Sequence, residues 1–189
     1  MEINFHVKLR FVQRIIGIED VNAAKKFIEQ NEYEVVYKIL EFINEAQLLH
    51  ENYAPARKDT LDYYINGETL LVLQPKKKGL VTLFDVTLDA DDKTNSDKIR
   101  QYIKAIKQNN NAITKINVKQ KKQDIISHHL EYMLKYLGEN VSEEVKTKIY
   151  EDRQKSIDIC KEYAANAKEY RMENRELMSE MFKKLENKE

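Results

Sequence analysis

Apolar residues in the first fifty positions recur at spacings of three and four, the period of an amphipathic helix. In HVKLRFVQR a helical wheel places Phe5, Leu9, Val12 and Ile16 on one stripe and His6, Arg10, Gln13 and Arg14 on the opposite one. Gly17 ends this helix and Asp20 caps the next, in which Val21, Ala24, Phe27 and Ile28 recur at helical spacing. The pattern predicts a third helix from about Glu32 to His50. Its core stripe is Val36, Ile39, Leu40, Ile43, Ala46 and Leu49, with Glu34, Lys38, Glu41 and Glu45 outside it.

The period then shortens. TLDYYINGETLLVLQPKKKGLVTLFDVTLD holds three β-rich runs separated by two turns. Asn66-Gly67 predicts a two-residue hairpin turn joining Asp62–Ile65 to Glu68–Leu73. The basic QPKKKG connection leads into LVTLFDVTL, apolar on both faces in its first half and so expected to be buried. Three helices and a small antiparallel meander define an α+β head over residues 1–92, and the acidic DADDKTNSD marks its end, with Asn95 or Ser96 as the next cap.

Residues 93–189 form an all-α tail. Ile99, Tyr102, Ile103 and Ile106 predict a short helix, QNNN interrupts it, and a second helix runs from Ile113 to Leu137 and stops at Gly138. The last helix starts near Ser142. In it Cys160, Tyr163, Ala167, Tyr170, Asn174, Leu177 and Met181 alternate at spacings of three and four, a coiled-coil seam with Asn174 as a polar, register-setting member. A hairpin with the preceding helix covers this seam only to about Ala165, so the distal half is expected to pair with a second chain. A homodimer through the C-terminal helix follows, parallel or antiparallel.

Composition fits a helix-dominated chain: 4 Gly, 2 Pro and no Trp in 189 residues, with 34% charged residues. No apolar run spans a bilayer and no signal-peptide core is evident, so a cytoplasmic protein with no membrane contact is expected. The single Cys160 forms no disulfide within the chain. Formal charge balances at 32 against 32, but 95–137 carries 9 Lys/Arg against 3 Asp/Glu. Lys115, Lys119, Lys121 and Lys122 are therefore candidates for nucleic-acid contact, against the plain alternative of a solvated face. The adjacent His128 and His129 diverge on a helix and no metal-ligand spacing accompanies them. The four glycines are too scattered for a phosphate loop. Neither a metal nor a cofactor is expected.

The remaining chemistry lies in the His6, Arg10, Arg14 stripe and in ARKDTLDYY, where Arg57 adds a cation and Thr60, Asp62 and Tyr64 share one strand face. Metal-free RNA cleavage needs a base, an acid and cations on the phosphate; His6 suits either proton-transfer role and the arginines suit the phosphate. H-x3-R-x3-R on a first helix, two further helices, an Arg/Thr/Tyr strand and a meander ending LVTLFDV resemble the barnase, EndoU, colicin and RelE-like ribonuclease superfamily, over roughly residues 1–90. The resemblance implies a metal-independent endoribonuclease of toxin or phage-defence type, cleaving RNA by 2′-hydroxyl attack. His6, Arg10, Arg14, Arg57, Thr60 and Thr82 are the implied catalytic set, and an antitoxin or host protein is an implied partner. The alternative is a non-catalytic interaction protein, phage-encoded or otherwise, that binds a nucleic-acid complex or host protein through its tail. On plainer grounds the polar stripe is a solvated face, Lys76–Lys78 a soluble turn, and Tyr63 and Tyr64 cross-strand packing.

Overall fold

A computed structural model describes residues 1–53, 60–136 and 141–182. The α+β architecture is present, with β1 (Glu2–Ile3), α1 (Phe5–Phe11), α2 (Val21–Gln30), α3 (Glu32–Glu45), β2 (Gln47–Tyr53), β3 (Leu61–Asn66), β4 (Thr69–Leu73), β5 (Gly79–Asp85), α4 (Asp92–Tyr136) and α5 (Glu143–Phe182). The chain divides into two compact units. One contains Met1–Lys104 and the chain from Leu177 onward; the other is Ala105–Glu176.

In the first unit the sheet has five strands, in the order β1-β5-β4-β3-β2, rather than the three evident from sequence. Only β1 is parallel to its neighbour, β5. The extra strand β2 corrects the end of the third helix: α3 stops at Glu45, where Ala46 turns extended (ψ 139), and Gln47–Tyr53 pairs with β3. Leu49 fits a helical stripe and an alternating strand equally well, and the free edge of β3 decides for the strand. The core stripe of α3 is correspondingly Val35, Ile39 and Ile43, while Leu40 is 36% exposed.

The hairpin turn also lies one residue later than its dipeptide suggests. Asn66 pairs with Thr69, so Gly67 and Glu68 are the central residues, and the positive φ (59°) falls on Gly67 alone. Asn66 instead donates from Nδ2 to the Phe42 carbonyl at 3.1 Å, tying the turn to α3.

Every residue of β4 is buried, since the sheet is covered on both faces. On one face Leu71, Leu73, Leu80 and Leu83 join Val7, Phe11, Val12, Ala24, Ile28, Val35, Ile39 and Ile43 of the helices. On the other, Phe182 meets Tyr63 edge-on at 5.4 Å and Phe84 at 5.6 Å. Asp91, rather than Asn95 or Ser96, caps α4, its Oδ2 accepting from the Thr94 amide at 2.8 Å. Asn95 has a different task. Buried, it accepts from the Leu88 amide at 2.6 Å and donates to the Val86 carbonyl and Glu68 at 3.0 Å, fastening α4 to the end of β5.

The second unit is an antiparallel helical hairpin. QNNN does not break α4, which runs unbroken for 45 residues. An exposed Asn in a helix costs only about 0.7 kcal/mol relative to Ala, and here two of the three gain partners on α5. Asn109 donates to Asn174 Oδ1 at 3.0 Å, and Asn174 donates to Asn110 Oδ1 at 2.9 Å. The seam is polar for much of its length: Gln123 donates to Ser156 Oγ at 2.8 Å, and Ser156 Oγ donates to the Gln123 carbonyl at 3.0 Å. Continuity of α4 thus covers α5 past Ala165. Ala167 and Asn174 are buried within the chain's own hairpin, at 1% and 0% exposure.

Candidate functional site

The polar stripe of α1 starts from an Asn4 cap, whose Oδ1 accepts from the Val7 amide at 2.9 Å. After Phe11 the chain makes a π-helical turn over Val12–Ile16 and leaves it at Gly17, φ 86°. The wider turn shifts the phase of the wheel. Val7, Phe11 and Val12 are buried, Leu9 and Ile16 are half-buried, and Phe5 is exposed, so the buried face is rotated from the one periodicity predicts.

His6 and Arg14 are exposed and Arg10 is half-buried. Arg14 sits in the field of Arg10 and of Asp85, whose Oδ1 accepts from Thr69 Oγ1 at 2.8 Å. Surrounding protein lowers the Arg14 pKa most, Asp85 opposes this, and Arg10 lowers it further; the guanidinium stays charged throughout the physiological range. Lys8, between the arginines and His6, is paired with Glu32.

The sheet does not gather the rest of the predicted set around this pair. Thr60 is exposed just before β3, and Arg57 lies outside the described residues. Thr82 is opposite Val72, which is opposite Tyr63, so alternation turns it to the face that meets Phe182; α1 lies against the other face, with Leu71 and Leu83. A single concave site holding Arg10, Arg14 and Thr82 is therefore not formed. Tyr64 does face the helices, with Lys77 Nζ 5.0 Å from its ring centre. Burial, then Asp62 and Glu51, push its hydroxyl above the ordinary tyrosine range, which disfavours proton release at neutral pH.

In the hairpin unit Lys115, Lys119, Lys121 and Lys122 are all exposed on α4. An exposed apolar row accompanies them. Val118, Ile125 and Tyr132, spaced by seven, and then Tyr136, lie directly opposite the α5-facing seam at 100° per residue, and they are 52%, 63%, 59% and 61% exposed. Tyr132 and Tyr136 stack at 4.1 Å, and Lys135 lies 5.6 Å from the Tyr136 ring.

Between Ala105 and Tyr136 the helix carries two carboxylates, and both are engaged with α5. Asp124 Oδ1 accepts from Cys160 Sγ at 3.0 Å and Glu131 Oε2 accepts from Arg153 at 3.1 Å. The outer face is left with Lys115, Lys121, Lys122 and Lys135 around its apolar stripe. The spacing of seven lies within Ile113–Leu137 in the sequence, but periodicity alone does not tell which apolar row of a helix meets a neighbour and which stays outside.

The hydrogen bond to Asp124, with lesser contributions from burial and that same charge, pushes the Cys160 thiol up to about 11, which disfavours the thiolate at neutral pH. A cleft of about 450 Å³ on the hairpin is lined by Ile116, Asn166, Glu169, Tyr170 and Glu173. Among the described residues no group of three or more His, Cys, Asp or Glu is placed to hold a metal ion, and no helix is long and apolar enough to cross a membrane. Comparison with protein-family models, curated proteins and solved structures returned no match.

Proposed function

We propose that this protein is a non-catalytic interaction protein that docks an acidic, helical partner surface on the outer face of α4. The supporting observation is the stripe Val118, Ile125, Tyr132 and Tyr136, exposed among lysines on a face whose carboxylates are all turned toward α5. Aliphatic side chains repeating every seven residues are what a facing helix packs between. Base stacking uses aromatic faces, and Val118 and Ile125 offer none. The lysines add steering and select against basic surfaces.

A synthetic amphipathic helix with leucines along one face and glutamates beside them is a direct probe. Fluorescence anisotropy is expected to show saturable binding that weakens with salt and is lost in Lys121→Glu with Lys122→Glu. The same assay with labelled single-stranded RNA in EDTA tests the ribonuclease alternative, for which the neighbouring Arg10 and Arg14 are the favourable observation. RNA cleaved by the wild type but not by His6→Ala contradicts the proposal; intact RNA held more weakly than the peptide supports it.

A further inference from the structure

We propose that the acidic helix docked by α4 is α3 of a second copy of this chain. This inference rests on α4 being a docking face, and α3 supplies its complement. Val35, Ile39 and Ile43 bury one side of α3, and the opposite side presents Tyr33, Tyr37 and Leu40 at 94%, 61% and 36% exposure. These positions follow a four-three spacing. Glu34, Glu41 and Glu45 stand exposed beside them, and the single cation of α3, Lys38, is paired with Glu34 at 2.8 Å. The outward face of α3 is thus apolar with an acidic flank, as that of α4 is apolar with basic flanks.

The apolar row of α3, Tyr33 to Leu40, is about 10 Å long at the helical rise and fits within the roughly 21 Å from Val118 to Tyr132. Charge also dictates the pairing. Two α3 faces would set glutamates against glutamates and two α4 faces lysines against lysines, whereas α3 against α4 neutralises both. The contact is heterologous, so each copy offers one half to a neighbour and the other half to the next. A patch of this size belongs with weak, reversible interfaces and is sensitive to ionic strength.

Sedimentation velocity of the full chain tests this without any foreign partner. In low salt the wild type is expected to sediment faster as its concentration rises to several hundred micromolar, and to return to monomer at about 0.5 M NaCl, where the Debye length is only a few ångströms. Lys121→Glu with Lys122→Glu, and separately Glu41→Lys with Glu45→Lys, should each remain monomeric with unchanged helical circular dichroism. Their equimolar mixture should associate again, because the unchanged α3 of one meets the unchanged α4 of the other and the reversed α4 meets the reversed α3. A wild type that stays monomeric in low salt, an association untouched by either reversal, or a mixture that stays monomeric overturns the proposal. If the monomeric wild type still binds the acidic peptide, the second copy is excluded and the docking face stands. If it binds neither, both fall.

Discussion

The polar residues inside the hairpin show most plainly how single side chains set this structure. Asn174 is legible from sequence as a polar member of a heptad seam, but its partner is not, because QNNN also has the composition of a break. The structure makes Asn109 and Asn110 that partner, joined to Asn174 by two amide hydrogen bonds in a buried site. Removing one side of such a pair strands the other. Asn174→Leu should cost about 1–3 kcal/mol in urea denaturation, and adding Asn109→Leu should recover much of the loss, since replacing both partners by apolar groups is nearly neutral. Equal and additive losses would place the two amides in separate environments.

Cys160 gives a pH prediction of definite sign. Its folded pKa, about 11, exceeds the unfolded value near 8.5, so the native state holds the thiol proton more tightly. The stabilisation is complete below about pH 8 and is lost as pH rises through the window between those values. Labelling by a thiol reagent at pH 8 should be slow in the folded protein and faster in Asp124→Asn, which weakens the acceptor of the thiol's hydrogen bond and removes the charge beside it. Equal rates would show that Asp124 does not control the thiol.

At the scale of elements, the helices were legible where one face is buried and one is wet, as in α2 and α5. Boundaries failed where two periods fit the same residues. QLLHENY carries Leu49 at a spacing that suits a helix continuing from Ile43 and a strand alternating with His50, and only the open edge of β3 selects between them. The first helix differs for another reason: a regular wheel drawn from Phe5 to Ile16 cannot foresee the π-helical turn at Val12–Ile16, and the face that carries Val7 and Phe11, not Phe5, is the buried one. This orientation is testable in pairs. Phe11, 2% exposed and edge-on to Phe42 at 5.7 Å, should cost about 3–5 kcal/mol as Phe11→Ala, whereas Phe5→Ala should stay within about 0.5 kcal/mol. Comparable losses in urea denaturation would return α1 to the orientation periodicity suggests.

For the whole molecule, the uneven charge was visible in the residue counts, and its meaning was not. The excess of six positive charges in 95–137 becomes informative only when Asp124 and Glu131 are seen to be turned toward α5, leaving one face of α4 cationic and apolar together. The ribonuclease set illustrates the converse. His6, Arg10, Arg14, Thr60 and Thr82 are plausible as a list, yet alternation along β5 puts Thr82 on the face away from α1, and no spacing within a single strand reveals which face a helix will cover. Of the α5 seam that argued for pairing with a second chain, Ala167 and Asn174 are buried in the chain's own hairpin, while Tyr170 stays 36% exposed.

Titration of the acidic amphipathic peptide against wild type and Ile125→Asp tests the central claim most directly, with thermal unfolding of both proteins as the control. Ile125 is 63% exposed in the middle of the stripe. A docking residue that does not hold the fold together should weaken binding at least tenfold, about 1.4 kcal/mol, and leave the unfolding midpoint where it is. A midpoint several degrees lower would make Ile125 part of a core, and unchanged binding would mean that the outer face of α4 is not where the protein meets its partner.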